Sequence, residues 1–154
     1  MTDAPTSPDA PATIPGTGDM LCFALYSANH AMTRLYRPLL QPLGLTYPQY
    51  LVLVALWSQD ERRVGALGEE LGLDTNTLTP LLKRMAEAGL ITRRRSAEDE
   101  RVVTVALTDK GRALQAEAEK ITACVFRATG LSVGELADLR DRIGTLERRI
   151  SDSL

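Results

Sequence analysis

Between residues 74 and 108 the sequence predicts a helix followed by a β-hairpin, and this order limits the folds open to the chain. Asp74 forms a helix N-cap signal, and Gly89 stands where a helix would end. One face between them is apolar at helical spacing: Leu78, Leu81, Leu82 and Met85. The opposite face carries hydroxyl, amide and cationic groups: Thr75, Asn76, Thr77, Thr79, Lys83 and Arg84. The sequence therefore predicts an amphipathic helix whose exposed face can donate hydrogen bonds.

The residues around this helix predict a DNA-binding unit. Segments 90–95 and 102–107 are typical of two β-strands joined by 96–101, and the first carries Arg93, Arg94 and Arg95. Before the helix, 64–72 forms a shorter helical pattern that ends in a glycine-containing turn at Gly72. Two helices followed by an arginine-rich hairpin are typical of a winged helix-turn-helix, which places one helix in the major groove. The alternative is an ordinary αα-hairpin on a β-hairpin, with its charges solvated.

Charge and composition favour a local contact with DNA and argue against a metal site. The 154-residue chain, long enough for one domain, has a net charge of −2, so it is not basic overall. Its first cationic residue is Arg34, whereas six cationic residues fall between Lys83 and Arg101. We expect DNA binding to be strongly salt-dependent. Cys22 and Cys124 are too far apart for a metal knuckle, and His30 is the only histidine, so neither a metal nor a cofactor is expected.

Residues 1–18 predict a disordered tail, because prolines alternate there with alanine, threonine and aspartate. The tail lacks the cationic start and apolar core of a signal peptide, and no later segment is long enough to span a membrane. We therefore expect a soluble, cytoplasmic protein.

The remaining segments predict helices for dimerisation. Asp19 is expected to cap a long helix from about Met20. Thr46 and Gln49 form a capping-box pattern at the start of 47–58, which predicts a helix buried almost all round. After the hairpin, one long helix should run from Thr108 to Gly130, and 132 onward shows a four-three apolar repeat. A small chain has little room to bury such a repeat, although a plain amphipathic helix remains an alternative. We expect a mainly α fold with a small β-hairpin (α+β). It is predicted to form a homodimer through 19–45 and 109–154, with a DNA-binding core at 46–108.

The hairpin and the start of the next helix resemble a known family. Asp99-Glu100-Arg101, followed by Leu107-Thr108 and Gly111, is similar to the DxR…LTxxG signature of MarR-type repressors, and the resemblance extends from Asp19 to the C-terminus. It implies that Asp99 and Arg101 pair and hold the wing tip in shape. It also implies a homodimer that binds a palindromic operator in double-stranded DNA.

A second resemblance concerns the sequences around Cys22 (residues 21–26) and Tyr47 (residues 45–50). Together with Tyr26 and Tyr36 they resemble the organic-hydroperoxide-sensing OhrR branch of MarR-type proteins. The resemblance implies that Cys22 is oxidised to a sulfenic acid beside Tyr26, Tyr36 and Tyr47, of which Tyr36 and Tyr47 hold the sulfur. Near a helix start, Cys22 also meets free backbone N–H groups that can hydrogen-bond a thiolate. Tyr36 lies fourteen residues further on, ~21 Å away at helical rise, so contact requires a second subunit.

Cys124 is the predicted partner of Cys22. The resemblance to two-cysteine members of the branch implies that Cys124 resolves the sulfenic acid as an intersubunit disulfide. The alternative is a small buried side chain facing Ile121 and Val125. The sequence thus predicts a repressor that releases its operator when Cys22 is oxidised by an organic hydroperoxide.

Three other functions are compatible with parts of the sequence. A cysteine peroxidase would use the same two cysteines but would not need the arginine-rich hairpin, and it would turn over with a dithiol. A repressor released by a small ligand would not depend on Cys22. A structural dimer would show no salt-dependent binding to duplex DNA. We expect no enzymatic activity.

Overall fold

The computed structural model describes residues 16–154, so residues 1–15 of the predicted tail lie outside the described part. The Cα positions form two compact units, one ending at Leu35 and the other spanning Tyr36–Leu154. The described elements are helices α1 (Leu21–Leu40), α2 (Tyr47–Ser58), α3 (Val64–Leu71), α4 (Thr75–Glu87), α5 (Asp109–Ala113), α6 (Gln115–Thr129) and α7 (Val133–Ser151), strands β1 (Arg62–Arg63), β2 (Ile91–Arg95) and β3 (Val103–Leu107), and 3₁₀ turns at Thr17–Asp19 and Gln41–Leu43.

The fold class is confirmed, with one strand more than the sequence predicted. The hairpin strands β2 and β3 pair antiparallel, and Arg93 lies opposite Val105. The two-residue strand β1 pairs with the other edge of β3, which gives the order β1-β3-β2. Two residues are too few to show an alternating pattern, which is why β1 could not be predicted. The third strand fixes the chain before α3 to the base of the hairpin.

The core of the second unit is formed by α2, α3, α4, the last residue of α1 and the inner face of the sheet. Its fully covered side chains are Leu40, Val52, Leu53, Leu56, Leu67, Leu78, Leu82, Met85, Ile91 and Val105. Tyr47 and Val54 of α2 remain 42% and 41% exposed, so this helix is not buried all round as predicted. The apolar face of α4 is buried, as its spacing predicts, and its polar face is therefore directed outward.

Side-chain caps fix the helix starts that matter for the site. Thr46 and Gln49 form the predicted capping box at α2, because each side chain accepts a hydrogen bond from the other residue's backbone N–H. Asp74 Oδ1 accepts the backbone N–H of Thr77 at 2.8 Å and thereby caps α4. Gly89, at φ 72°, adopts the left-handed conformation that ends α4 and turns the chain into β2.

Two predicted boundaries are wrong. Asp19 is not the cap of α1, since it belongs to the preceding 3₁₀ turn and the carbonyl of Met20 accepts the first helical hydrogen bond, from Ala24. Cys22 is therefore the second residue of the helix rather than the third. The long helix after the wing is interrupted at Leu114, between α5 and α6. The division into dimerisation helices at 19–45 and 109–154 and a core at 46–108 stays a prediction.

Several large apolar side chains are exposed in the single chain. No residue of α7 is buried, and Leu139, Ile143 and Ile150 of its predicted four-three repeat are about half exposed. In α1 the exposed apolar residues are Leu21, Phe23, Leu25, Tyr26 and Met32. Within residues 16–154 no single helix has the length and hydropathy to cross a membrane, although Leu21–Leu43 and Tyr47–Ser58 satisfy that test as a bent pair.

Candidate nucleic-acid interface and redox site

The polar face of α4 is open to solvent along its whole length. The six side chains predicted to contact DNA are all exposed: Thr75, Asn76, Thr77, Thr79, Lys83 and Arg84. Lys83 approaches Glu87 only to 4.0 Å and remains 70% exposed, so its charge is available to a ligand. An exposed row of hydrogen-bond donors on a helix that is rigidly packed on its other side is what major-groove reading requires.

The wing, which is the hairpin formed by β2 and β3, places its arginines next to this helix. Arg93, Arg94 and Arg95 are exposed along β2. At the wing tip Asp99 accepts a hydrogen bond from the backbone N–H of Arg101 at 3.0 Å, so the contact uses the main chain of Arg101 and not its guanidinium. The tip is closed by two further hydrogen bonds, from Ser96 N–H to the Val102 carbonyl and from Val102 N–H to the Asp99 carbonyl. Asp99 therefore shapes the turn and leaves the Arg101 side chain outside it.

The residues after β3 hold the wing and α4 to each other. Thr108 donates its hydroxyl to the Gly89 carbonyl at 2.6 Å and accepts the Gly111 N–H at 3.0 Å. Lys110 Nζ reaches the Ala88 carbonyl at 2.8 Å. The indole N–H of Trp57 donates to the carbonyl of Gly111 at 3.0 Å. The start of α5 is thus fixed to the end of α4 and to α2.

Asp60 strengthens the same junction and was not predicted. Its carboxylate accepts hydrogen bonds from the backbone N–H groups of Leu107 (2.8 Å) and Glu61 (2.9 Å) and from Arg112 Nη2 (2.7 Å). Partial burial raises the pKa of Asp60, but these hydrogen bonds and the Arg112 charge outweigh burial and lower the pKa below its ordinary value. Asp60 therefore links the end of α2, the last residue of β3 and α5.

Replacing Asp60 should destabilise the protein by an amount that depends on pH in a defined direction. Because folding lowers this pKa, the stabilisation is complete above the pKa of the unfolded chain and is lost as pH falls through the folded value. We expect Asp60→Asn to lower the free energy of unfolding by about 1–2 kcal/mol at pH 7. The deficit should shrink below about pH 4. Urea titrations from pH 7 to pH 3 measure it, and a deficit that stays constant with pH would contradict the role of ionised Asp60.

Asp141→Asn is the matched control for this variant. Asp141 pairs with Arg140 on the surface of α7 at 2.8 Å, and both side chains are about 70% exposed. Exposed pairs contribute little, so this variant should unfold within about 0.5 kcal/mol of the parent at each pH.

Cys22 lies in the first turn of α1 and is exposed. This position precedes the first helical hydrogen bond, so backbone N–H groups near it remain free to bind an anion. Tyr26, one turn further along, is 61% exposed and packs against His30 with ring centroids 4.4 Å apart. Phe23 stacks on Tyr26 at 6.4 Å. The first unit therefore offers an accessible thiol beside aromatic side chains.

Tyr36 and Tyr47 are brought together in the second unit, with ring centroids 4.8 Å apart. Tyr50 completes the cluster, with its ring centroid 5.9 Å from that of Tyr36 and 6.5 Å from that of Tyr47. Burial, followed by the neighbouring phenols Tyr47 and Tyr50, raises the pKa of Tyr36 to about 12, and burial also raises the pKa of Tyr47. Both phenols therefore stay protonated at neutral pH and can donate hydrogen bonds.

This tyrosine cluster lines an open cleft of about 630 Å³. Leu51, Val54 and Trp57 of α2 form its apolar wall, and Gln115, Glu119 and Thr122 of α6 contribute polar groups. The exposure of Val54 is explained by this cleft. The arrangement can accept an apolar molecule or side chain next to phenolic donors.

Cys124 lies in α6, partly buried, with a free thiol. Arg127 Nη2 approaches its sulfur at 3.4 Å, one helical turn further on.

Tyr50 and Asp60 could not be identified as site residues from the sequence. Asp60 follows an apolar helix directly, which is a detectable signal for a residue at a helix end, but its bonds to residues about fifty positions away could not be read from spacing.

Comparison with known proteins shows what the chain is similar to. A family model described as transcriptional regulator SarA/Rot matches residues 34–118. The organic hydroperoxide resistance transcriptional regulator of Bacillus subtilis (strain 168) is 45% identical over 128 residues, covering 83% of this chain and 87% of the relative. The structure of reduced AbfR bound to DNA, a Staphylococcus epidermidis protein, superposes with a TM-score of 0.73 at 32% identity, over 84% of this chain and 91% of AbfR. Disulfide-formed AbfR superposes with a TM-score of 0.62 at 32% identity, over 82% of this chain and 88% of AbfR.

Proposed function

Since this chain belongs to the MarR-like SarA/Rot family of transcriptional regulators, we propose that it is a homodimeric DNA-binding repressor that releases its operator when an organic hydroperoxide oxidises Cys22. The observation that carries the DNA-binding part is the fully exposed donor face of α4 beside the arginines of β2. Relatives described as an organic hydroperoxide resistance regulator and as a DNA-bound protein in a reduced form support the same function. A protein that binds chromosomal DNA would work in the cytoplasm.

The exposed apolar side chains of α7 and α1 support the homodimer. Leu139 and Ile143 follow the four-three spacing of a helix that packs on another helix, yet they are about half exposed in the single chain. A second copy with two-fold symmetry would cover them. Such a dimer presents two copies of α4 to half-sites about 34 Å apart on one face of the duplex, so its operator would be palindromic.

The proposed sensing reaction begins at Cys22. Its thiolate attacks the peroxide oxygen of ROOH, the O–O bond breaks, and after proton uptake the products are Cys22–SOH and the alcohol ROH. Fourteen residues of helix separate Cys22 from Tyr36, ~21 Å at helical rise. We therefore assign Tyr36 and Tyr47 of the partner subunit to the sulfur, with Tyr26 completing the pocket. Because Tyr36, with a pKa of about 12, keeps its proton, it can donate a hydrogen bond to the thiolate.

We assign Cys124 to the second step. Its thiol displaces the hydroxyl of Cys22–SOH on the partner subunit, forming an intersubunit disulfide and water. A disulfide between α1 of one subunit and α6 of the other would move α6 and, through the Thr108–Gly111 junction, the wing and α4. Both copies of α4 must fit one duplex, so a displacement of a few ångströms would release it.

One structural feature favours a second candidate, a repressor released by a small apolar ligand. The 630 Å³ cleft beside Tyr36, Tyr47 and Trp57 has the size and lining of a small-molecule site. In that case the ligand would release the protein from DNA equally well in Cys22→Ser and in the parent. A peroxidase, in contrast, would consume hydroperoxide continuously with a dithiol, and we propose no such activity.

Lys83→Ala tests the assigned DNA-binding surface. Loss of one phosphate contact should weaken binding to every duplex and reduce the slope of log K against log salt by about one. Fluorescence anisotropy with the chain's own promoter region and with an unrelated duplex, each over a salt series, measures both effects.

Lys120→Ala is the control for Lys83→Ala, because Lys120 has the same charge and the same 70% exposure but lies on α6, where it pairs with Glu117 at 2.7 Å. Its slope should equal that of the parent. An unchanged slope in Lys83→Ala would remove Lys83 from the interface.

A further inference from the structure

A second cleft, of about 560 Å³, lies between α3 and the wing, and three arginines line it. Arg63 comes from β1, at the residue before α3, Arg93 comes from β2, and Arg101 comes from the wing tip. Arg63 and Arg93 flank β3, since they stand opposite Thr104 and Val105 respectively. The three-stranded sheet therefore gathers cations that are up to 38 residues apart in the sequence.

These three guanidinium groups have no ion-paired carboxylate among the residues that the structure describes. Within residues 16–154, none of Arg63, Arg93 and Arg101 makes an ion pair, although the adjacent Arg62 is paired with Glu70 at 2.6 Å and is nearly covered. Like charges that no carboxylate pairs with directly repel one another, and an anion placed between them reduces that cost. Thr75 and Thr79 of α4 line the same cleft and add two hydroxyl donors.

We propose that this cleft binds a phosphate of the DNA backbone and that Arg63 is one of its ligands. The inference rests on the proposed DNA-binding function and extends it to a residue outside α4 and the wing. Guanidinium groups bind phosphate oxygens in pairs of parallel hydrogen bonds, which suits a cleft lined by three of them. A phosphate held beside Thr75 would set how deeply the first turn of α4 enters the major groove.

The same cleft contains a carboxylate that opposes this binding. Glu69 of α3 lines it and, among the described residues, forms no ion pair with the three arginines. Its negative charge would repel a phosphate and reduce the affinity of the cleft. Removing the charge at Glu69 should therefore strengthen DNA binding, an effect that damage to the fold would not produce.

Arg63→Ala and Glu69→Gln test the proposal with changes of opposite sign. Arg63→Ala should weaken binding to specific and unrelated duplexes by about tenfold and lower the salt slope by about one. Glu69→Gln should tighten binding several-fold on both duplexes. Arg140→Ala, at an exposed arginine of α7 that pairs with Asp141, is the charge-matched control and should match the parent. Anisotropy titrations of the full chain, with thermal unfolding of each variant, provide the data.

Each outcome of this experiment decides one question. If the reduced parent binds no duplex in a salt-dependent way, the proposed function itself fails. If the parent binds but Arg63→Ala keeps the parent's salt slope, or Glu69→Gln does not tighten binding, the proposed phosphate site is excluded. The proposed DNA-binding function is then unaffected.

Discussion

One equivalent of cumene hydroperoxide will convert the reduced protein into a covalent dimer on a non-reducing gel. In the proposed mechanism Cys124 of the other subunit attacks the oxidised Cys22, so a single equivalent supplies the two-electron oxidation that one disulfide requires. Neither Cys22→Ser nor Cys124→Ser should form the dimer, and dithiothreitol should return the parent to the monomer band.

The two variants separate the steps. Cys124→Ser should still consume the hydroperoxide and accumulate sulfenic acid at Cys22, which a dimedone adduct detected by mass spectrometry would report. A covalent dimer formed by Cys124→Ser would exclude the assigned pairing. A monomer band in the oxidised parent would remove Cys124 from the mechanism and leave either a one-cysteine sensor or the ligand-released repressor.

Gly111→Ala should strongly destabilise the second unit. A Cβ at this position would lie 2.2 Å from the Leu90 carbonyl oxygen and 3.2 Å from a Leu107 methyl group. The carbonyl cannot retreat easily, because it accepts the backbone N–H of Thr108 at 3.1 Å. Alanine normally stabilises a helix by about 1 kcal/mol relative to glycine, but this clash reverses the sign. We expect a loss of about 3 kcal/mol in the free energy of unfolding.

Gly134→Ala provides the comparison for Gly111→Ala. Gly134 also lies inside a helix, α7, but a Cβ there would meet no atom within 4 Å. Its unfolding free energy should equal or exceed that of the parent, by up to about 1 kcal/mol. Urea denaturation of the two variants measures the difference. Equal stability of Gly111→Ala and the parent would mean that α5 does not pack against the end of α4 as described.

Local patterns in the sequence were sufficient to predict helix α4 and the β2–β3 hairpin. The cap at Asp74, the apolar spacing from Leu78 to Met85 and the turn at Gly89 all act within a few residues, and all are confirmed. The Thr46–Gln49 box is confirmed for the same reason, since its two hydrogen bonds join residues three apart. Signals of this kind depend on backbone geometry that each segment determines for itself.

Other features could not be predicted because they depend on distant residues. Asp60 is held by groups 47 and 52 residues away, and neither spacing nor composition reveals such a contact. Strand β1 exists only because β3 offers a free edge. No glycine or proline stands at Leu114 to indicate that the helix is interrupted there. The cleft arginines come together only through the sheet. The roles of the tyrosines and cysteines came from resemblance to a family and stay predictions.

Operator binding before and after oxidation tests the central claim most directly. The reduced protein is titrated by anisotropy into a duplex from its own promoter region, one equivalent of cumene hydroperoxide is added, and dithiothreitol is added last. We predict tight, salt-dependent binding that is lost on oxidation and restored by the dithiol, with Cys22→Ser remaining bound throughout. Binding that the hydroperoxide leaves unchanged, or release that persists in Cys22→Ser, would contradict a repressor controlled by Cys22.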